Sequence, residues 1–147
     1  MFRGQYDHTI DAKGRTSVPA RYRDVLAATG ERRIVLTSAL DPCVAAYTLA
    51  EWDAFEARLQ GMPLFDEAVE KLKRIYVSGA VECEIDEVGR ILVPPTLREH
   101  ARLRKDVRWA GLGRHAELWD TSEWKKQFDT SDEERRAIKR RLAELRL

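Results

Sequence analysis

The sequence predicts an α+β protein, mainly β with flanking α-helices, built by tandem duplication of one small unit. Three observations carry this. First, Asp11-Ala-Lys-Gly-Arg15 with Val18-Pro19 behind it recurs as Asp86-Glu-Val-Gly-Arg90 with Val93-Pro94. The same interval of 75 residues carries Gly4 onto Gly79, Ile10 onto Ile85 and Arg23 onto Arg98. That makes eight identities between positions 4 and 24, where composition alone would give about one or two. Second, apolar residues around both motifs alternate with the period of two that marks a half-buried strand. Third, helical spacing is confined to short stretches that close each copy and to two segments outside the duplication. A repeat of this kind decides the architecture before any local reading.

In each copy the first strand leads into the motif. Tyr6, His8 and Ile10 alternate with Asp7 and Thr9, and Val81, Cys83 and Ile85 with Glu82 and Glu84. Asp11 and Asp86 can then bond their own backbone two residues on, and Gly14 and Gly89 permit positive φ. Both pairs are therefore assigned as turn-shaping. Arg15-Thr-Ser-Val18 and Arg90-Ile-Leu-Val93 resume as strands until proline, which has no N–H to donate, stops them. Each copy thus predicts strand, tight turn, strand, with an arginine at the exit of the turn.

Ala20 to Leu26 reads as a short helix with Tyr22 and Leu26 on one face. Its counterpart, Thr96 to Leu103, opens on a capping-box spacing, Thr96-x-x-Glu99. Ile34 to Thr37 and Val44 to Tyr47 form a second hairpin around Asp41-Pro42. Val107 to Ala110 and Ala116 to Trp119 repeat it around Gly111 to His115. Thr48-x-x-Glu51-Trp52 and Thr121-Ser-Glu123-Trp124 then start amphipathic helices. Asp66 to Val77 predicts a joining helix with Val69, Leu72 and Tyr76 on one side. Its pairs Glu67–Lys71 and Glu70–Arg74 are spaced i,i+4. Ser131-x-x-Glu134 caps a last helix whose narrow stripe of Ile138, Leu142 and Leu145 calls for a packing surface. The expected organisation is a first repeat over 5–50, linker helices over 51–78, a second repeat over 79–122 and C-terminal helices over 123–147.

A chain of 147 residues can bury an adequate core, although halves of about 70 residues would be marginal alone. Net charge is only +1, so global basicity does not announce a polyanion partner. Residues 1–23 nevertheless carry five cations against two carboxylates, whereas residues 78–105 balance at five each. A polyanion-facing surface is expected to lean on the first copy. Cys43 and Cys83 have no C-x-x-C or metal-ligand spacing. With no apolar leader and no stretch of ~20 apolar residues, they point to a reducing cytosol and no membrane span.

Arg15 and Arg90 are the candidate binding residues. A guanidinium at the edge of a stiff two-stranded turn can reach a DNA groove and bond phosphate or a guanine edge in bidentate fashion. Lys13 would add a phosphate contact, and its counterpart is Val88. The bland alternative is that each arginine only pairs with the aspartate four residues back. Gly111-Leu-Gly-Arg-His-Ala116 formally fits a dinucleotide fingerprint, but a strand rather than a helix follows, so it reads as a hairpin turn. Trp52, Trp109, Trp119 and Trp124 occupy core-facing positions. His8, His100 and His115 lack ligand spacing, no nucleophile motif appears, and no cofactor or small-molecule substrate is expected. The one enzymatic reading would use His8 with Asp7 or Asp11.

The Met-Phe-Arg-Gly start, the paired Asp-x-x-x-Arg turns and Glu117-Leu-Trp119 resemble the MraZ family across essentially the whole chain. These are bacterial regulators with tandem SpoVT-AbrB-like repeats. The resemblance implies a swapped-hairpin double-repeat β-barrel and ring-shaped homo-oligomers. It also implies sequence-specific binding to promoter repeats upstream of the division and cell-wall genes, and association with the nucleoid. The family's DNA-contacting signature falls on Asp11 and Arg15 and on Asp86 and Arg90. The expected contact to double-stranded DNA is led by Arg15, supported by Lys13 and Arg3, with Arg90 second. The rival is an assembly ring that binds protein rather than DNA through the acidic stretch Glu51 to Glu70.

Overall fold

Short strands leave open edges, and the way the two copies cover them sets the fold. In a computed structural model that describes residues 1–147, each copy contributes four strands. The first supplies β1 (Gln5–Thr9), β2 (Arg15–Ser17), β3 (Arg33–Ser38) and β4 (Val44–Tyr47). The second supplies β5 (Val81–Glu84), β6 (Arg90–Leu92), β7 (Asp106–Gly111) and β8 (His115–Asp120). The hairpins β3–β4 and β7–β8 form as the sequence leads one to expect.

The first strands do otherwise. β1 pairs with β7 and β5 pairs with β3, so each copy's first strand covers the open edge of the other copy's hairpin. An isolated two-stranded hairpin is marginal in water, and exchange gives each its third strand. The hairpins join through β4 and β8 into one antiparallel sheet in the order β1-β7-β8-β4-β3-β5. β2 and β6 pair separately as a ribbon. In the ribbon Thr16 faces its own equivalent, Ile91, so an approximate twofold axis relating the copies passes through that pair.

This is an α+β fold with its core on the strands, but the ladder does not close into a barrel. β1 and β5 remain the edges of the sheet. Only the two turns and the ribbon span the gap, through the Ile10–Thr16 bridge and the bonds from Asp11 N to Arg15 O (3.0 Å) and Asp86 N to Arg90 O (2.9 Å). β2 and β6 are three residues each before Val-Pro turns the chain into α1 (Ala20–Ala27) or α4 (Pro95–His100). That is too short to ladder with both neighbours.

The principal core lies between sheet, ribbon, α1 and α4. Phe2, Ile10, Tyr22, Leu26, Ile91, Leu97 and Trp109 meet there. Tyr22 forms T-shaped pairs with Phe2 (5.1 Å), Tyr6 (5.4 Å) and Trp109 (5.9 Å), and its hydroxyl donates to the Gly4 carbonyl at 2.7 Å. A second cluster packs Val35, Ala45, Tyr47 and Trp119 against Trp52 of α2 (Leu49–Gln60). Cys43 and Cys83 are buried and free, with burial pushing the Cys83 thiol up to about 11. No helix is long and apolar enough to cross a membrane.

Several helix ends differ from expectation. Thr48 does cap α2, accepting from Glu51 N at 3.1 Å. Thr96 caps nothing, because Pro94 is the N-cap and Pro95 takes the first helical position. Asp120, one residue earlier than expected, caps α5 (Thr121–Phe128). The joining helix is α-helical only over α3 (Glu67–Leu72) and widens to a π-turn at Lys73–Val77. There Thr37 and Ser38 hydroxyls donate to the carbonyls of Tyr76 (2.6 Å) and Ile75 (3.0 Å), which lie in the last turn, where carbonyls lack intrahelical partners. Glu70–Arg74 pairs at 3.1 Å, whereas Glu67–Lys71 does not form an ion pair. Ser131 caps α6 (Asp132–Glu144), yet no residue of α6 is buried, so its apolar stripe has no packing surface within the chain.

Candidate nucleic-acid interface

Alternation along the β2–β6 ribbon sorts its six residues between two faces. Thr16 and Ile91 point inward, each 2% exposed. Arg15, Ser17, Arg90 and Leu92 share the outer face. Arg15 lies opposite Leu92 and Arg90 opposite Ser17, which sets the two arginines on a diagonal of about 7–8 Å between Cα atoms. The copies thus bring their signature arginines side by side on one solvent-facing surface. The arginine side chains are 41% and 42% exposed.

Each turn is built by its aspartate. Asp11 Oδ1 accepts from the amides of Lys13 (3.0 Å) and Arg15 (2.9 Å), and Asp86 Oδ1 accepts from Val88 (3.0 Å) and Arg90 (2.8 Å). The second carboxylate oxygen takes the arginine Nε, at 2.8 Å in the first turn and 3.2 Å in the second. Aspartate and arginine therefore pair, as the bland alternative requires. Pairing through Nε leaves the Nη groups free of protein hydrogen bonds and fixes the direction in which the fork projects. Surface ion pairs of this kind add little stability. Their consequence here is orientation.

Gly14 (φ +92°) and Gly89 (φ +84°) occupy positive-φ positions, and each turn is gripped by the opposite copy. Gly14 O accepts from Val93 N and Gly89 O from Val18 N, both at 2.8 Å. The guanidinium of Arg98 lies over Gly14 and that of Arg23 over Gly89, where a Cβ would meet them at 2.7 Å. Arg23 and Arg98, present in the sequence only as a repeat identity, are thereby explained: Nε of each donates to a carbonyl of its own copy, Val18 or Val93, across the facing turn.

The Arg15 amide and then its guanidinium hold the Asp11 carboxyl below the ordinary 3.8, and the Arg90 amide does the same for Asp86. A carboxyl lowered on folding stabilises at pH above its unfolded value, and that contribution disappears as pH falls through the lowered folded value. The turns should therefore be indifferent to pH between 5 and 8 and loosen only in acid below about 4. An NMR titration of the two aspartate carboxyl carbons checks this; midpoints at or above the ordinary value would contradict it.

The other candidates are dispersed. Lys13 is exposed at the first turn and has no carboxylate partner. Arg3 lies before β1, at the Gly113 end of the sheet, a full strand length from the turn that follows β1. Its backbone covers Gly111, where a Cβ would come within 2.5 Å of Arg3 N. The Gly111–His115 segment is a hairpin turn with Gly113 at φ +95°. Asp7 is held by both Nε and Nη2 of Arg108 (2.7 and 3.1 Å) and Asp11 by Arg15, so neither hydrogen-bonds His8.

Residues not singled out from the sequence also border the first turn. The loop after α4 lies beside it, where Lys105 O accepts from Ile10 N at 2.8 Å. The loop after α1 approaches the second turn in the same way, with Arg32 O accepting from Ile85 N at 2.9 Å.

The "MraZ protein" family model matches this chain twice, over residues 1–75 and 76–146. The chain belongs to the MraZ family. Each match contains one Asp-x-x-Gly-Arg turn. A protein named transcriptional regulator MraZ from Thermoanaerobacter pseudethanolicus is 43% identical over 147 residues, covering all of both chains. One from Thermoanaerobacter sp. strain X514 is 46% identical over 132 residues, 90% of each chain. Another from Acetivibrio thermocellus is 41% identical over 145 residues, 99% of each.

Proposed function

We propose that this protein is a transcriptional regulator that binds double-stranded DNA through the outer face of the β2–β6 ribbon. The observation that carries the reading is the common placement of Arg15 and Arg90. Two Nε-anchored guanidinium groups project from one short, stiff ribbon with their Nη groups unoccupied. A two-stranded ribbon fits the major groove of B-DNA, and an arginine fork can take the O6 and N7 of guanine or a phosphate. Lys13 adds charge at the tip of the first turn. The names of the MraZ relatives support the regulatory role.

The finer reading is sequence-specific recognition of promoter repeats ahead of the division and cell-wall genes, its own gene among them, by a ring of identical chains. Self-association is supported by apolar side chains that the monomer leaves uncovered: Leu64 and Phe65, 70% and 91% exposed between α2 and α3, and the α6 stripe. A ring would repeat the arginine face and present several ribbons to successive grooves. The same exposed side chains would equally serve an assembly module that binds protein alone, and DNA binding separates the two readings.

The test is a gel shift on the DNA immediately upstream of the coding sequence, at two salt concentrations. The parent should shift that duplex and do so less at higher salt. Arg15→Ala should lose about 1–3 kcal/mol of discrimination against an altered site. Arg15→Ala binding as tightly and selectively as the parent would remove the ribbon from the interface.

A further inference from the structure

The approximate twofold axis allows the two turns to be compared position by position, together with the neighbours each borrows from the other copy. The first turn carries Lys13 and Arg15 with Asp11; its borrowed neighbours are Arg98, which lies over Gly14, and Lys105, whose carbonyl accepts from Ile10 N, with Arg104 next to it in the chain. That is five cations against one carboxylate. At the equivalent positions the second turn carries Arg90 with Asp86 and Glu87; its neighbours are Arg23, Arg32 and Glu31. That is three cations against three carboxylates. The backbone frames are alike and the charge is not: net +4 in one place, zero in the other.

The surplus is also free to act. Lys105 is exposed and has no carboxylate partner, and Arg104 reaches only the Ser122 hydroxyl, at 3.3 Å. On the other side Glu31 is tied to Arg33, which also bridges to Glu82. Half of the difference lies within the turns, where Lys13 stands for Val88 and Ala12 for Glu87, and half in the borrowed loops, where Arg104 stands for Glu31.

Resting on the DNA-binding reading above, we infer that the two turns are unequal. The first holds the duplex, and the α4–β7 loop, through Arg104 and Lys105, extends its contact along the phosphate backbone beside the groove that Arg15 enters. Phosphate contacts carry no sequence information directly, so the loop sets affinity and register while Arg15 reads.

The experiment measures binding of the full chain to the upstream duplex and to a scrambled duplex of equal length, across a salt series. Each phosphate contact contributes about −0.9 to the slope of log K against log salt. Arg104→Gln/Lys105→Gln should weaken binding to both duplexes alike and flatten the slope by up to about 1.8. Arg136→Gln/Arg140→Gln, the same loss of charge on exposed α6, should leave the slope unchanged. A parental slope in the loop variant overturns the inference, as does equal flattening by the α6 variant. If Arg15→Ala still loses its discrimination in those cases, the DNA-binding reading stands without the loop. A parent that binds neither duplex overturns both. Thermal unfolding of each variant at the parental midpoint assigns the change to the interface.

Discussion

Trp109→Ala should lower the unfolding free energy by about 3–5 kcal/mol, the range for removing a fully buried large aromatic. Trp109 belongs to the second copy and is 0% exposed. Its ring stands perpendicular to that of Tyr22 with centroids 5.9 Å apart, and its Nε1 donates to the Ser17 carbonyl at 3.0 Å. Ser17 ends β2, so this side chain fastens the ribbon of one copy to the sheet strand of the other. Trp109→Phe keeps most of the apolar volume and leaves the Ser17 carbonyl unpaired, at a cost of about 1–3 kcal/mol. Urea unfolding at pH 7 measures both. A midpoint for Trp109→Ala within error of the parent's would show that the ribbon is held by something else.

Gly14→Ala should act on binding as well as stability. At φ +92° an L-residue costs about 1–2 kcal/mol. The new Cβ would also lie 2.8 Å from the Val93 carbonyl oxygen and 2.7 Å from Arg98 Nε. The carbonyl is backbone and cannot swing away, so overpacking adds about 1–3 kcal/mol. Gly30→Ala is the matched control, since Gly30 has φ +73° but nothing within 4 Å of its Cβ position. In a chain of this size each kcal/mol is worth about 2–4 °C in Tm. Gly14→Ala should therefore melt several degrees below Gly30→Ala. Equal melting temperatures would mean that the contact with Val93 and Arg98 carries no weight.

Much of this was legible in the residues. The duplication, both aspartate turns, the hairpins around Asp41-Pro42 and Gly111–His115, and the burial of Trp52, Trp109 and Trp119 follow from local spacing. Strand partners were not legible in that way. The alternation of Tyr6, His8 and Ile10 says which face is inside but not that the neighbour is β7, a choice made by open edges far away in the chain. The Thr96 box failed because Pro95 fixes the helix start. The carbonyls at the end of the π-turn are met by Thr37 and Ser38, hydroxyls on another element that local spacing does not point to. At the site, Arg15 and Arg90 could be found by motif. Arg104 and Lys105 could not, because they become neighbours of the first turn only once the copies exchange strands.

The axis through Thr16 and Ile91 has an evolutionary corollary. Were the fold assembled from two separate half-length chains, any change in a bend would appear in both bends at once. Covalent fusion lifts that restriction: the scaffold can stay symmetric while Lys13 and Val88, or Ala12 and Glu87, diverge. A single polypeptide can then point in one direction along a duplex, which a strictly symmetric pair cannot do.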